Sequence, residues 1–280
     1  MAEELRTLTL PANGLEFSGL QWGPPTGRTV LLLHGFPQRA TSWSRVAERL
    51  AEAGLRAVAI DQRGYSPGAR PTEVPDYALP HLGADVVALI GALGGSVDLV
   101  GHDWGGVVGW QVAARYPDLV RTWTAVSTPN QLALNEVLAA DAAQRERFGY
   151  ILALRRPGSE AALLADDAAA LRALFGDAVA TERVEEDVAF FAQPGVLRAA
   201  VNWYRAMSRE DAAGLPRVSV PTTYIWGSQD MAFGPAAAER TSAYVDGPYE
   251  FLALDGAGHW LPDEAADTLA DAIARRVLGE

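Results

Sequence analysis

Short blocks of aliphatic side chains recur along the chain and alternate with longer stretches in which apolar positions return at a helical period. Thr29–Leu33 (TVLLL) has no polar face and predicts a strand buried on both sides. The spacing then predicts a helix over Thr41–Ala53, with Thr41 or Ser42 as N-cap, and a strand over Leu55–Ile60. A loop rich in glycine, proline and arginine follows over Asp61–Tyr77, then a helix over Leu82–Leu93. Ser96–Val100 reads as a strand, Trp104–Tyr116 as a helix and Arg121–Val126 as a strand. Strand–helix alternation of this kind predicts a mostly parallel, doubly wound sheet covered by helices on both faces, an α/β fold. The opening Leu5–Trp22, with Asn13-Gly14 at its centre, predicts a hairpin at the sheet edge.

The alternation stops at about Asn130. From there to Ala213 only Ala/Leu/Arg/Glu helical periodicity is present, interrupted at Pro157-Gly158 and Pro194-Gly195, with Ala161–Ala180 spaced as packed helix. Strands resume at Thr222–Trp226 and Tyr249–Leu254, with helices over Gly234–Val245 and Pro262–Val277. The expected organisation is a core of residues 1–129 and 214–280 with an all-helical cap, residues 130–213, inserted as a lid over the sheet. No internal repeat or low-complexity linker interrupts it.

The 280 residues are 49% hydrophobic and 21% charged, which excludes a disordered or fibrous chain. The chain has no cysteine, and all 23 basic residues are arginine. That excludes a disulfide framework, a thiolate nucleophile, Cys-based metal sites, a Schiff-base lysine and a P-loop lysine. A codon bias toward arginine accounts for the missing lysine. A formal charge of −12 argues against nucleic acid or an anionic membrane as partner. The acidic start Met1–Arg6 lacks the plan of a signal peptide, and the longest uncharged stretches, around Val86–Val97 and Trp104–Ala114, are shorter than a membrane span. The expectation is a cytoplasmic protein, monomer or homodimer, with no metal or cofactor. Its four histidines, His34, His81, His102 and His259, are too scattered for a metal site.

The strongest local signal is Gly101-His102-Asp103-Trp104-Gly105-Gly106, directly after a strand and directly before a helix. This is the strand–turn–helix elbow that exposes a nucleophile above the carboxyl edge of a sheet, with aspartate in the central place. Strand Thr29–Leu33 ends in His34-Gly35-Phe36-Pro37, where a second oxyanion-hole amide is expected. Asp230 follows the strand that ends at Trp226, and His259 follows the last strand. The order nucleophile, acid, histidine is the one this architecture requires. A carboxylate needs no base to attack, and attack on a saturated carbon bearing a leaving group gives an ester that an activated water can cleave. Esterase or peptidase chemistry would want serine or cysteine at this place.

HGFP at His34–Pro37, DQRGYS at Asp61–Ser66, GHDWGG at Gly101–Gly106, Asp230, GHW at Gly258–Trp260 and NWYR at Asn202–Arg205 together resemble the α/β-hydrolase superfamily and, within it, the epoxide hydrolases. The resemblance covers essentially the whole chain. It implies the α/β-hydrolase fold with a helical cap, and conversion of an apolar, small-molecule epoxide to a vicinal diol. Asp103 would be the nucleophile, His259 the base and Asp230 its orienting acid. Backbone amides of Phe36 and Trp104 would form the oxyanion hole. Two cap tyrosines would donate to the epoxide oxygen. Tyr204 lies in the NWYR segment, and Tyr150 stands ahead of Pro157-Gly158 as the second tyrosine does in the family. His34, Pro37, Trp104 and Trp260 would line the substrate pocket.

Two other readings stay open. A haloalkane or haloacid dehalogenase would use the same Asp–His–Asp set. Haloalkane dehalogenases, however, usually carry Asn where Phe36 stands, and fluoroacetate dehalogenases carry arginines where this chain has Trp104 and Val107. A catalytically silent, hydrolase-like binding protein would use the cap cavity as a receptor. His102 is expected to pack within its turn, His81 to lie at a surface or helix start, Arg63 to be structural, and Trp110, Trp123, Trp203 and Trp226 to pack. The chain departs from the pattern at Ser127-Thr128-Pro129-Asn130, where many relatives carry Pro-His.

Overall fold

The computed structural model describes residues 5–208 and 210–279. Strands β1 (Arg6–Ala12) and β2 (Leu15–Trp22) form the expected antiparallel hairpin, joined by Asn13 and Gly14. Both turn residues sit at positive φ, 50° and 75°, the backbone that a two-residue hairpin of the right twist demands. β2 pairs antiparallel with β4 (Arg56–Ile60), and β4 pairs in parallel with β3 (Thr29–Leu33). The parallel array continues through β5 (Val97–His102), β6 (Val120–Val126), β7 (Thr222–Gly227) and β8 (Tyr249–Leu254). The sheet order is β1-β2-β4-β3-β5-β6-β7-β8. With β3 to β8 all parallel, every loop after these strands opens at the same carboxyl edge.

The TVLLL block has no exposed position in β3, because its side chains feed two cores. Leu31 and Leu33 pack on the face carrying α2 (Leu79–Ala92) and α3 (Trp104–Arg115). Val30 and Leu32 pack on the other, under α1 (Ser44–Glu52) and the C-terminal helix. Each fully buried aliphatic side chain contributes roughly 1.5–3 kcal/mol, so this unbroken apolar run makes β3 a rigid support for the loop that follows it.

Several helix boundaries differ from expectation. The segment after β3 opens as a 3-10 turn, Ala40–Trp43, before α1, and neither Thr41 nor Ser42 caps it. The Ser42 hydroxyl instead donates back to the Arg39 carbonyl. α2 begins three residues before the expected Leu82 and takes Pro80 into its first turn, where proline's missing N–H costs nothing. Exposed His81 sits in that turn. The stretch expected as one helix over Gly234–Val245 divides into α10 (Pro235–Arg240) and a 3-10 turn. The C-terminal helix divides at Ala265 into α11 (Leu261–Glu264) and α12 (Ala266–Leu278).

From Gln131 to Ala206 the chain is helices and turns: α4 (Gln131–Ala140), α5 (Ala142–Arg147), α6 (Gly149–Leu154), α7 (Ser159–Ala173), α8 (Thr181–Phe191) and α9 (Val196–Ala206). The Ala161–Ala180 helix of the sequence is not continuous. α7 leaves helical geometry at Ala165–Ala168, and α8 starts only at Thr181. Buried links tie this helical segment to the sheet's carboxyl edge. Asp187 of α8, fully buried, accepts from Arg39 Nε at 2.8 Å. Trp203 Nε1 of α9 donates to the Arg63 carbonyl at 2.8 Å. Arg63 is itself held by a bidentate pair with buried Asp85, at 2.6 and 2.7 Å. Trp110, Trp123, Trp203 and Trp226 are all buried. No helix among the described residues is long and apolar enough to cross a membrane.

Candidate active site

Asp103 sits between the end of β5 and the start of α3 at φ 50° and ψ −118°, a backbone conformation costly for a residue with a Cβ. Small neighbours make this turn possible. A Cβ on Gly105 would lie 2.2 Å from the Leu33 carbonyl oxygen, and one on Gly35 would lie 2.3 Å from Asp103 Cβ. Glycine at both places lets the β5–α3 turn press against the β3 loop. The contact aims the Phe36 N–H at Asp103 Oδ1, at 2.9 Å. The Thr128 hydroxyl fixes the Asp103 carbonyl at 3.0 Å, and Trp110 Nε1 fixes the Thr128 carbonyl at 2.9 Å. The Trp104 N–H is the first of α3 and so has no partner within its own helix.

His259 and Asp230 arrive from the loops after β8 and β7. His259 Nδ1 donates to Asp230 Oδ2 at 2.9 Å, and Nε2 faces Asp103 Oδ2 at 3.7 Å. The other Asp230 oxygen accepts the N–H groups of Ala232 and Phe233, at 2.7 and 2.9 Å. All three side chains are buried. Burial alone would push the imidazole down, but the Asp230 and Asp103 carboxylates raise His259 to about 10. Burial would likewise push the Asp103 carboxyl up, yet the adjacent imidazolium and the Phe36 amide bring it below the ordinary aspartate range. The resting pair is therefore a carboxylate beside an imidazolium at neutral pH.

Asp103 lies between two chambers. The larger, about 380 Å³, has mainly apolar walls from α4–α6 and α9, among them Leu134, Phe148, Ile151 and Met207, with Trp104 and Phe233. The smaller, about 80 Å³, is bounded by Phe36, Pro37, His259 and Trp260. Asp103, Tyr150 and Tyr204 line both. Tyr204 packs edge-on against Phe36 and Trp104, with ring centroids 5.5 and 5.2 Å apart, and Tyr150 stands 6.4 Å from Tyr204. Its sequence neighbour Arg205 anchors α9 to Glu160 and Ser159 of α7. Burial, reinforced by the Asp103 charge, pushes both tyrosine hydroxyls upward, so both remain protonated donors.

The expected set of residues thus meets at one place, with one correction. His34 does not line either chamber. It is fully buried behind the β3 loop, where its Nδ1 meets the Gly35 carbonyl at 3.0 Å and its Nε2 the Gln62 N–H at 3.2 Å. The ring braces the turn after β3 against the DQRGYS loop through these two hydrogen bonds. Phe148, Ile151 and Phe233 also line the larger chamber, although apolar residues at helical spacing look like core. Glu264 was also missed. It accepts the N–H groups of Gly258 and Trp260, at 2.6 and 2.8 Å, on either side of His259. Among the described residues no group of three or more acidic or histidine side chains is arranged to hold a metal ion.

Comparison with known proteins places this arrangement. A family model described as alpha/beta hydrolase fold matches residues 28–266. Epoxide hydrolase A of Mycobacterium tuberculosis is 30% identical over 95% of each chain. Epoxide hydrolase 4 of Mus musculus is 32% identical over 91% of this chain and 74% of its own. The crystal structure of epoxide hydrolase A from Mycobacterium thermoresistibile superposes with a TM-score of 0.86 at 27% identity, covering 99% of both chains. The chain belongs to the α/β-hydrolase superfamily and, within it, to the epoxide hydrolase family.

Proposed function

We propose that this hydrolase of ether bonds opens an apolar epoxide to a vicinal diol through an ester on Asp103, with residues 130–213 acting as the cap that builds the substrate chamber. The observation that carries the reading is the meeting of an ionised carboxylate and two protonated tyrosines on the walls of the same two chambers. An epoxide leaves as an alkoxide and needs such donors. A departing halide would leave both hydroxyls without a task.

In the first step Asp103 Oδ2 attacks an epoxide carbon. The ring C–O bond breaks, and its electron pair stays on oxygen, which takes a proton from Tyr204 or Tyr150. Ester formation removes the Asp103 charge, one of the two that hold the His259 proton. His259 then returns a proton to the tyrosinate and becomes neutral. In the second step neutral His259, oriented by Asp230, takes a proton from water, and the hydroxide adds to the ester carbonyl carbon. The Phe36 and Trp104 amides hold the oxyanion at Oδ1. Collapse expels the diol oxygen, which takes the proton back from His259. Transfer of the remaining carboxylic proton to His259 restores the resting pair.

Removing the donors tests the reading. With an epoxide such as styrene oxide, Tyr204→Phe is expected to slow ester formation about 100-fold, and the Tyr150→Phe, Tyr204→Phe double variant about 10³- to 10⁴-fold, as for loss of general acid catalysis. Rapid-quench measurement of the first turnover reads the step directly. Wild-type ring opening in the double variant would defeat the assignment.

A further inference from the structure

The Ser127–Asn130 segment, which follows β6, reaches the far side of the catalytic histidine. The His259 carbonyl accepts two hydrogen bonds, from His102 Nε2 at 2.8 Å and from the Ser127 hydroxyl at 2.9 Å. A carbonyl can only accept, so the ring proton of His102 is on Nε2. Its Nδ1 is left as a buried lone pair with no partner among the described residues. A proton there would have no acceptor, and burial with the nearby His259 lowers His102 to about 4. His102 is therefore a neutral, one-way donor, its ring 4.9 Å from that of His259. Ser127 is held at φ 59°, an unusual conformation for a residue with a side chain, at the end of β6.

We propose that His102 and Ser127 are positioning residues for the hydrolytic half of the reaction: by donating together to the His259 carbonyl they fix the backbone of the base at the ends of β5 and β6. The loop that carries His259 turns at Gly256 in positive φ, and Glu264 holds the N–H groups of Gly258 and Trp260; His102 and Ser127 supply the restraint on the His259 carbonyl itself. Asp230 orients the imidazole from one end but does not fix its backbone. Asp103 is held separately, by Phe36 and Thr128. Losing a donor to His259 therefore displaces the base while leaving the nucleophile in place, and a shift of about 1 Å costs about 100-fold in rate.

The inference rests on the Asp103 ester, and the test separates the two. Ester formation and ester hydrolysis are timed by rapid quench and intact mass, with styrene oxide, in His102→Leu, His102→Gln, Ser127→Ala and His259→Gln. Glutamine can present an N–H at the place of Nε2; leucine cannot. The expected result is ester formation within about twofold of wild type in His102→Leu, His102→Gln and Ser127→Ala, with hydrolysis slowed about 10- to 100-fold in His102→Leu and Ser127→Ala and largely restored in His102→Gln. Unchanged hydrolysis in both, equal losses in both steps, or no rescue by glutamine overturns the inference. If His102→Leu does not fold, Ser127→Ala decides, and unchanged hydrolysis there overturns it. Absence of ester in His259→Gln overturns the covalent reading itself and this inference with it. Ester in His259→Gln with wild-type hydrolysis in the other variants overturns this inference alone.

Discussion

Asp103→Asn is expected to lower epoxide turnover by about 10⁴-fold or more, with the fold and the substrate chamber intact. The amide is isosteric with the carboxylate and can still accept from the Phe36 N–H through its carbonyl oxygen. What is lost is the anion. A neutral amide does not displace an alkoxide from carbon, and among the described residues no other carboxylate lines both chambers. Thermal unfolding and binding of the diol product separate loss of chemistry from loss of structure. Residual activity within about tenfold of wild type would mean that water attacks the epoxide directly, leaving Asp103 only an electrostatic role.

His259→Gln should have a different signature. Ring opening proceeds, because the carboxylate needs no base, but the ester persists and steady-state turnover falls about 10³-fold. One equivalent of substrate is consumed in a burst, and the protein gains the full mass of the epoxide. The wild-type pH dependence follows from the same charges. In the resting enzyme His259 lies at about 10, raised by two carboxylates against the effect of burial. The ester neutralises one of them, so the proton affinity of His259 falls in the intermediate. Hydrolysis therefore loses rate as the pH drops through that lowered value, because the base becomes protonated. Ester formation keeps its rate to lower pH, until the Asp103 carboxylate is protonated below the ordinary aspartate range. Stopped-flow measurement of the two phases checks the separation. A single acid limb shared by both would contradict it.

The parts of this account visible in the sequence are those set by backbone geometry. Asn13-Gly14 specified its hairpin because few residues tolerate two successive positive φ values. TVLLL specified a doubly covered strand because no polar position interrupts it. The Gly101–Gly106 elbow was legible because the close approach at Gly105 leaves no room for a side chain. Since the sheet is parallel from β4 onward, residues at successive strand ends had to share an edge.

What stayed hidden depends on packing between distant segments. The break at Ala165–Ala168 falls on Asp166-Asp167, a residue type that tolerates positive φ, inside an alanine-rich stretch that otherwise reads as helix. His34 belongs to the right motif but turns away from the chambers toward Gln62, a choice made by the neighbouring loop. Phe148 and Phe233 meet from segments far apart in sequence. Ser127 and Glu264 act on the backbone around His259, and side chain–backbone hydrogen bonds leave no periodic signature.

The central claim is that the oxygen delivered to the epoxide comes from Asp103, not from solvent. It is tested by a single turnover of styrene oxide with enzyme in excess in oxygen-18 water. The account predicts an unlabelled diol from that turnover and one labelled oxygen in the peptide that contains Asp103. Label in the first diol, with the Asp103 peptide unlabelled, would contradict it.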